Sequence, residues 1–507
     1  MGTTIADAEV GGHMAQAKAA RGPGINVFDE SRPMWQKMLL FLIPMLLTNV
    51  LQSGSQLAST IYVGRLIGVS ALGAMSIIAP IFILLIALPF GLASGSSVMI
   101  GQAFGARDMP RVKKVAGTTL GASLGLGVLI GLIGYFGTPG LLHIFGTPVS
   151  LVPMADAYAR IIFLACPVFF PYLAYTTSLR GTADAQTPFY FLIFSTVLAL
   201  LLVPVGILGW FGVPALGITG AALGGMLAQA IAFVALIFYL RAKDHPLKFD
   251  SEMARDMLVD TKLLWQVVRI GVPTSIQIMS VGLAEAVLVS FVNRYGASAA
   301  AAYGAVNQIV GYVQFPAMSV GIGASIFGAQ CIGAKREDLL NSVVRSGVAL
   351  NYAVAGFVIG LCYLFATQIL GWFITDPATV VIAHGLLMIT LWSYLLFGNS
   401  AVLSGVMRGS GTVLWPTING IFAILCVEVP SAFLLMQHYH LPGIWMGYPI
   451  SFAVVLALQF QYYHRFWKPR IHARLIAPLT APEPVPDSAV GEALVEGETS
   501  MNITPES

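Results

Sequence analysis

Twelve apolar runs, each long enough to cross a bilayer, constrain this chain more than any other feature. They fall at about 38–63, 72–98, 115–136, 158–178, 188–209, 215–240, 270–292, 300–328, 343–366, 384–407, 413–436 and 443–466. A spanning helix needs about 20 predominantly apolar residues. Over 507 residues the chain is 57% hydrophobic and only 10% charged, against roughly 25% charged for a soluble domain. That much apolar surface cannot be hidden in soluble cores. A backbone surrounded by lipid must satisfy its own hydrogen bonds, so runs of this length read as helices. The expected class is an all-α integral membrane protein with twelve transmembrane helices.

The basic residues give the orientation. With the N-terminus placed in the cytoplasm, 23 of the 26 Lys and Arg fall on the cytoplasmic side, and only Arg65, Arg160 and Arg294 fall outside it. A miscounted span would scramble this bias. The chain is therefore expected in the cell inner (cytoplasmic) membrane, multi-pass, with both termini cytoplasmic. No cleavable signal peptide is visible before the first apolar run. The Pro-rich, acidic C-terminal stretch reads as disordered, and the sequon at Asn502 is explained by chance.

The chain also repeats itself at about 228 residues. "GQAFGARD" (101–108), after the second run, matches "AQCIGAKRED" (329–338), after the eighth. "LRGTADAQTP" (179–188) matches "MRGSGTVLWP" (407–416), with Arg180 on Arg408, Gly181 on Gly409 and Pro188 on Pro416. Pro44 pairs with Pro273 and Arg65 with Arg294. Six spans per half is an even number, so both halves enter the bilayer the same way. Their symmetry axis then lies along the membrane normal, as in parallel-repeat transporters. The expected organisation is a cytoplasmic N-terminal tail (1–35), an N-lobe (36–240), a cytoplasmic linker (241–269), a C-lobe (270–467) and a disordered cytoplasmic C-terminal tail (468–507).

Among 23 acidic residues, only Glu285 and Glu428 lie well inside expected spans. A charged residue such as Asp at a helix centre costs about 2.5–3.5 kcal/mol on insertion scales, and ionisable groups kept there usually mark ion or proton paths. Burial favours the neutral carboxyl, which brings proton binding toward physiological pH. Glu285 and Glu428 are accordingly the candidate cation- or proton-coupling residues. The competing explanation for each is a structural hydrogen bond between helices. Asp156 falls near an outer end and Asp184 in a cytoplasmic turn. Polar stripes mark three helices as candidate walls of a substrate cavity: Asn49, Gln52 and Gln56 on the first, Gln277 on the seventh, and Tyr303, Asn307, Gln308 and Tyr312 on the eighth. Such residues also serve as interhelical glue. The four cysteines (Cys166, Cys331, Cys362, Cys426) show no metal or disulfide spacing and read as inert core residues. "GASLGLGVLIGLIG" (121–134) is a packing surface of small residues. No catalytic, metal-ligating or nucleotide-binding pattern appears, so the chain is expected to be neither an enzyme nor an ATP-driven pump.

The 6+6 repeat, the paired "GQAFGARD" and "AQCIGAKRED" motifs, the "RG…P" turns and "LGITGAALGGMLAQ" (216–229) resemble the multidrug and toxic compound extrusion (MATE) transporters over about residues 36–466. The resemblance implies a MATE-like V of two six-helix lobes around a central cavity. It also implies antiport that exports organic compounds, often cationic amphiphiles, against inward H⁺ or Na⁺. One branch of the family carries an Asp on the first helix, where this chain has Ser59. A second branch has a Glu on helix seven at the position of Val281, four residues before Glu285. Its Asp on helix ten maps near Phe397, beside Asn399. The expected function is multidrug efflux by alternating access, with H⁺ favoured over Na⁺ and no cofactor. Expected partners are small organic substrates and the lipid bilayer, without nucleic acid, for a chain acting as a monomer. A lipid-linked oligosaccharide flippase of the same superfamily is the alternative. It is disfavoured because no Lys or Arg lies deep in a span.

The orientation is tested by reporter fusions at Thr138 and Gln437. Both should read out the periplasmic side, and a cytoplasmic signal at either would break the twelve-span topology.

Overall fold

The computed structural model describes residues 24–212, 214–258 and 260–471. Most of both expected tails, including the C-terminal stretch expected to be disordered and the sequon, lies outside the described residues. Twelve helices are long and apolar enough to cross a membrane: α1 (Met34–Leu66), α2 (Val69–Gly105), α3 (Met109–Ile144), α4 (Val152–Gly181), α5 (Gln186–Leu208), α6 (Ile218–Ala242), α7 (Thr261–Asn293), α8 (Ala297–Gly333), α9 (Glu337–Leu364), α10 (Pro377–Gly409), α11 (Leu414–Tyr439) and α12 (Leu441–Ile471). No strand occurs among the described residues. The twelve expected spans are all present, several of them longer than their apolar cores. At 37 residues, α2 and α8 are about 55 Å long by helical rise, more than the roughly 30 Å hydrocarbon layer. Their ends therefore stand out of the bilayer. The face where α2 and α8 end also carries the segment between α6 and α7, and is called the linker face below.

Helices α1–α6 and α7–α12 form the two lobes, but two helices cross between them. The first turns of α1 pack into the C-lobe. Met34, Met38, Phe41 and Leu42 join Val320, Phe327, Val343 and Val406 in one buried cluster, with Phe41 edge-on to Phe327 at 5.6 Å. By the same exchange, Val267 near the start of α7 is buried in the N-lobe with Leu92, Met99 and Ile100. The close approach of α2 and α7 requires glycine. A Cβ on Gly91 would sit 2.6 Å from the Gly271 carbonyl oxygen, and one on Gly95 2.4 Å from that of Val267.

Three features depart from the sequence expectation. Cys166, Cys331 and Cys362 are buried, but Cys426 is exposed. It belongs to no packed core. The expected linker 241–269 shortens, because α6 runs to Ala242 and α7 begins at Thr261, capped by the Asp260 side chain. The N-terminal approach, expected as part of a tail, packs against the protein. Val27 is 1% exposed within the same cluster as Phe41 and Phe327, its carbonyl accepts from Lys37 Nζ at 2.8 Å, and the Ile25 N–H donates to the Ala183 carbonyl.

The linker itself is tied to the N-lobe. Lys113 at the start of α3 bridges Asp250 (2.9 Å) and Glu252 (2.8 Å), and Lys114 pairs with Asp260 (2.8 Å). Beneath these surface pairs, Asp184 is fully buried and caps α5 through the Gln186 and Thr187 N–H groups. His245 of the linker is buried beside it, Nε2 standing 3.7 Å from Asp184 Oδ2. The Leu247 N–H donates to Nδ1, which leaves Nε2 as the protonated nitrogen of the neutral ring. Tyr175 anchors the same turn by donating to the Leu247 carbonyl.

Burial pushes the His245 imidazole down from its ordinary value, although Asp184 pulls it the other way. The unfolded chain then binds a proton that the folded chain resists, so this residue stabilises the fold above about pH 6.5 and that contribution is lost as the pH falls below it. His245→Asn retains an acceptor for the Leu247 N–H. Melting of the detergent-solubilised protein should show a smaller loss of thermal stability in this variant than in wild type between about pH 7 and about pH 5.

Candidate functional site

A cavity of about 480 Å³ lies inside the N-lobe. Its walls come from α1, α2, α4, α5 and α6. Gln52, Ser55, Gln56, Ser59 and Thr60 present the polar side of α1, and Phe82, Tyr158 and Phe169 supply aromatic faces opposite. Ser195 and Thr196 of α5 and Gln229 of α6 complete the polar groups. No Asp, Glu, Lys or Arg is found among the described residues lining it. Ser59, which stands where one branch of the resembling family has an Asp, is part of this wall, so the cavity keeps a hydroxyl where a carboxylate could have been.

Two of the expected cavity residues, Gln52 and Gln56, line this space, and the other six lie elsewhere. Asn49 Nδ2 donates to Ser319 Oγ of α8 at 3.1 Å, a bond between lobes. Gln277 Oε1 accepts from Arg408 Nη2 at 2.8 Å. Tyr303 packs edge-on against Trp445 at 5.0 Å. Gln308 and Tyr312 are exposed along α8. The walls from α2, α4, α5 and α6 were missed at the sequence level. Gln229, the only Gln in the long apolar run of α6, and the Ser195–Thr196 pair in α5 were the available signals.

Both intramembrane carboxylates lie in the C-lobe, and neither lines the N-lobe cavity. Glu285 of α7 accepts from Asn307 Nδ2 of α8 at 3.0 Å. Glu428 of α11 is 6% exposed. It ends a π-helical turn, Ala423–Glu428, whose cause is local. Pro430 would clash with the carbonyl four residues back in a regular helix, and one wide turn relieves that clash. Ser451 of α12 donates to the Ala423 carbonyl at 3.0 Å and so pins the wide turn. The two carboxylates are close enough to interact electrostatically. Tyr303, Tyr394 and Tyr448 lie within the same reach, the buried Tyr303 hydroxyl beside Asn307 and Tyr448. Asn307 and Tyr303, expected as cavity residues, thus belong with the carboxylates.

Asn399, beside the position of the family's helix-ten Asp, has a structural role. Asn351 Nδ2 donates to Asn399 Oδ1 and to the Leu395 carbonyl, both at 3.0 Å, and Asn399 Nδ2 donates to Tyr352 Oη at 3.0 Å. Asn351 begins a second π-helical turn, Asn351–Ala355. Gly398 leaves it room, since a Cβ there would meet Asn351 Oδ1 at 2.0 Å. Among the described residues, no group of three or more His, Cys, Asp or Glu could hold a metal ion.

Two six-helix lobes with a cavity between membrane helices, and intramembrane carboxylates apart from it, define a membrane transporter by architecture. The chain belongs to the MatE family, whose model matches residues 44–205 and 273–434, one match in each lobe. It is 51% identical to the probable multidrug resistance protein YoeA of Bacillus subtilis (strain 168) over 450 residues, 88% of this chain and 97% of the relative. It is 23% identical to the multidrug export protein MepA of Staphylococcus aureus (strain MRSA252) over 423 residues, 82% of this chain and 90% of the relative. Among solved structures, it resembles a MATE crystal structure in the bent conformation with a TM-score of 0.80 at 22% identity, covering 91% of this chain and 99% of the other. An outward-facing MATE transporter gives 0.79 at 23%, covering 90% and 98%. The chain is therefore a transporter and not an enzyme.

Gly225 of α6 lines the cavity, and a Cβ placed there meets nothing within 4 Å. Gly225→Phe should fold, occupy part of the cavity and weaken binding of a fluorescent cationic dye by about tenfold or more, the cost of displacing a well-fitted ligand by some 1.4 kcal/mol. Anisotropy titration of the purified protein measures it. Undiminished affinity would show that the dye binds elsewhere.

Proposed function

We propose that this chain is a multidrug exporter of the cytoplasmic membrane that works by alternating access and exchanges organic amphiphiles for inward-moving protons. The observation that carries this reading is the separation of tasks between lobes: an uncharged cavity of about 480 Å³ in one and a pair of intramembrane carboxylates, the exposed Glu285 and the buried Glu428, in the other. The names of the relatives, a probable multidrug resistance protein and a multidrug export protein, point the same way. The bias of 23 in 26 basic residues supports cytoplasmic termini and a cytoplasmic linker face.

The substrate reading follows from the lining. Aromatic faces and aliphatic walls take up flat apolar bodies, and the Gln, Ser and Thr groups on one side orient their polar ends. Aromatic faces also attract cations, so neutral and cationic amphiphiles both fit. A flippase for diphosphate-linked sugars is disfavoured, because such a headgroup needs cationic partners and the lining has none.

Protons are favoured over Na⁺ by the environment of Glu285. An amide donor occupies Oε1. One proton on the other oxygen neutralises the group, whereas Na⁺ would need a shell of further oxygen ligands. Each carboxylate releases its proton in the arrangement open to the cytoplasm and takes one up in the other. A ligand drives such a switch only through its different affinity for the two states, and a carboxylate that is more desolvated in one arrangement supplies that difference. As one chain holds both cavity and carboxylates, a monomer suffices.

Glu285→Gln and Glu428→Gln keep shape and hydrogen bonding but remove titration. At wild-type expression, each should retain dye binding yet lose drug-dependent proton flux and gradient-driven efflux in everted vesicles. Near-normal coupled efflux by Glu285→Gln would leave Glu285 a structural hydrogen-bonding residue and pass the role to Glu428.

A further inference from the structure

The repeat motifs are the strongest feature that this reading leaves unused. At the linker face, α2 and α8 meet across the pseudo-two-fold axis through "GQAFG" and "AQCIG". A Cβ on Gly105 would lie 2.1 Å from the Gln330 carbonyl oxygen, and one on Gly333 1.9 Å from that of Gln102. Each motif's glutamine then reaches into the opposite lobe. Gln102 Nε2 donates to the Gly409 carbonyl at the end of α10 (2.7 Å), and Gln330 Nε2 to the Gly181 carbonyl at the end of α4 (3.0 Å). Gln330 is 1% exposed. Both acceptors belong to the last turn of a helix, where carbonyls have no partner within the helix. The two glycines are those of the paired "RG…P" turns. One bond thus uses two repeat motifs from different lobes, and the symmetry makes it twice.

We propose that Gln102 and Gln330 form a symmetric clasp that holds the linker face shut and sets the balance between the two access states of the transporter. They touch neither the cavity nor the carboxylates and act by positioning the lobes. Opening this face must pull each amide from its carbonyl and part the close backbone contacts of α2 and α8 at Gly105 and Gly333. The proposal rests on the alternating-access reading.

The test uses the full chain with its four cysteines replaced by alanine and one reporter, Ser59→Cys, in the cavity wall. An impermeant maleimide is added to everted vesicles, so that it reaches the cavity only when the cytoplasmic face opens. Gln102→Leu or Gln330→Leu should each raise the labelling rate roughly fivefold, the equivalent of one ordinary hydrogen bond, and the double variant roughly twenty-fivefold. Gln102→Glu and Gln330→Glu supply a readout that a merely structural role would not move. A protonated carboxyl can still donate to the carbonyl, and an ionised one repels it. Labelling in these variants, corrected for the reporter-only chain at each pH, should approach the parent rate in acid and rise as the pH increases. If the leucine variants fail to fold, the glutamate variants in acid carry the test alone. Rates equal to the parent in every variant, or glutamate variants without pH dependence, would overturn the clasp. A reporter that labels from the periplasmic side but never from the cytoplasmic side, in parent and variants alike, would instead overturn alternating access itself.

Discussion

A bilayer core offers no water to a polar group, and the rest of this structure follows from that constraint. Each backbone must close its hydrogen bonds within a helix, and each polar side chain carried into a span must find a partner there or face a cavity. The Asn351–Asn399–Tyr352 network meets the requirement within the C-lobe. Thr48, Thr119 and Ser178 meet it by donating to carbonyls of their own helices. Asn49, Gln102 and Gln330 meet it across the boundary between lobes. The polar groups left over are the α1 stripe against the N-lobe cavity and the group around Glu285 and Glu428. On the proposed reading, function draws on these groups and, through Gln102 and Gln330, on the boundary between the lobes.

The two halves share a fold by repeat and differ in chemistry. The N-lobe has a cavity and no buried carboxylate in its wall, with Ser59 at the position where an acid was possible. The C-lobe has the carboxylates and the irregular helices. The wide turns at Asn351–Ala355, Ala423–Glu428 and Tyr463–Trp467 all fall in it. A wide turn leaves a backbone carbonyl poorly paired and aims side chains off the regular spacing. Glu428 is delivered to its site in this way. On the proposed reading, the two halves of the repeat serve as a binding half and a titrating half.

Much of this was legible in the sequence, and the illegible part has one cause. The spans were readable because length and hydropathy answer directly to the membrane thickness. The lobes were readable because the repeat motifs recur at a constant offset. Glu285 and Glu428 were readable because an acid among apolar residues is costly enough to need a reason. The polar stripes were harder. Gln52 and Gln56 face the cavity, while Asn49, one turn earlier on the same face, bonds to Ser319 instead. Helical periodicity places residues on a face but does not say which helix that face meets. The α2, α4, α5 and α6 walls and the packing of Val27 against the protein are tertiary facts of the same kind. The extent of α7 back to Thr261 was missed because charged residues near its start look like linker, although Asp260 caps a helix there.

Separate lobes for binding and titration raise the question of how one informs the other, since no carboxylate touches the cavity. The crossed helices supply the connection. Helix α1 lines the cavity from Gln52 onward, yet its opening turns from Met34 to Met45 are buried in the C-lobe. Helix α7 carries Glu285, yet Val267 near its start is buried in the N-lobe. Each functional helix is therefore anchored in the lobe opposite its working end. A packed core does not deform continuously, so a change in how tightly α7 is held at Glu285 is felt where α7 meets α2, at Gly91 and Gly95, rather than dissipated along the helix. Because α2 also lines the cavity, through Met75, Ile78 and Phe82, its displacement alters the binding wall directly. Substrate and proton then have no need to compete for one acid. On the proposed reading they exchange through two helices that each belong to both lobes, so that a cavity without a carboxylate of its own can still be coupled to one in the other lobe.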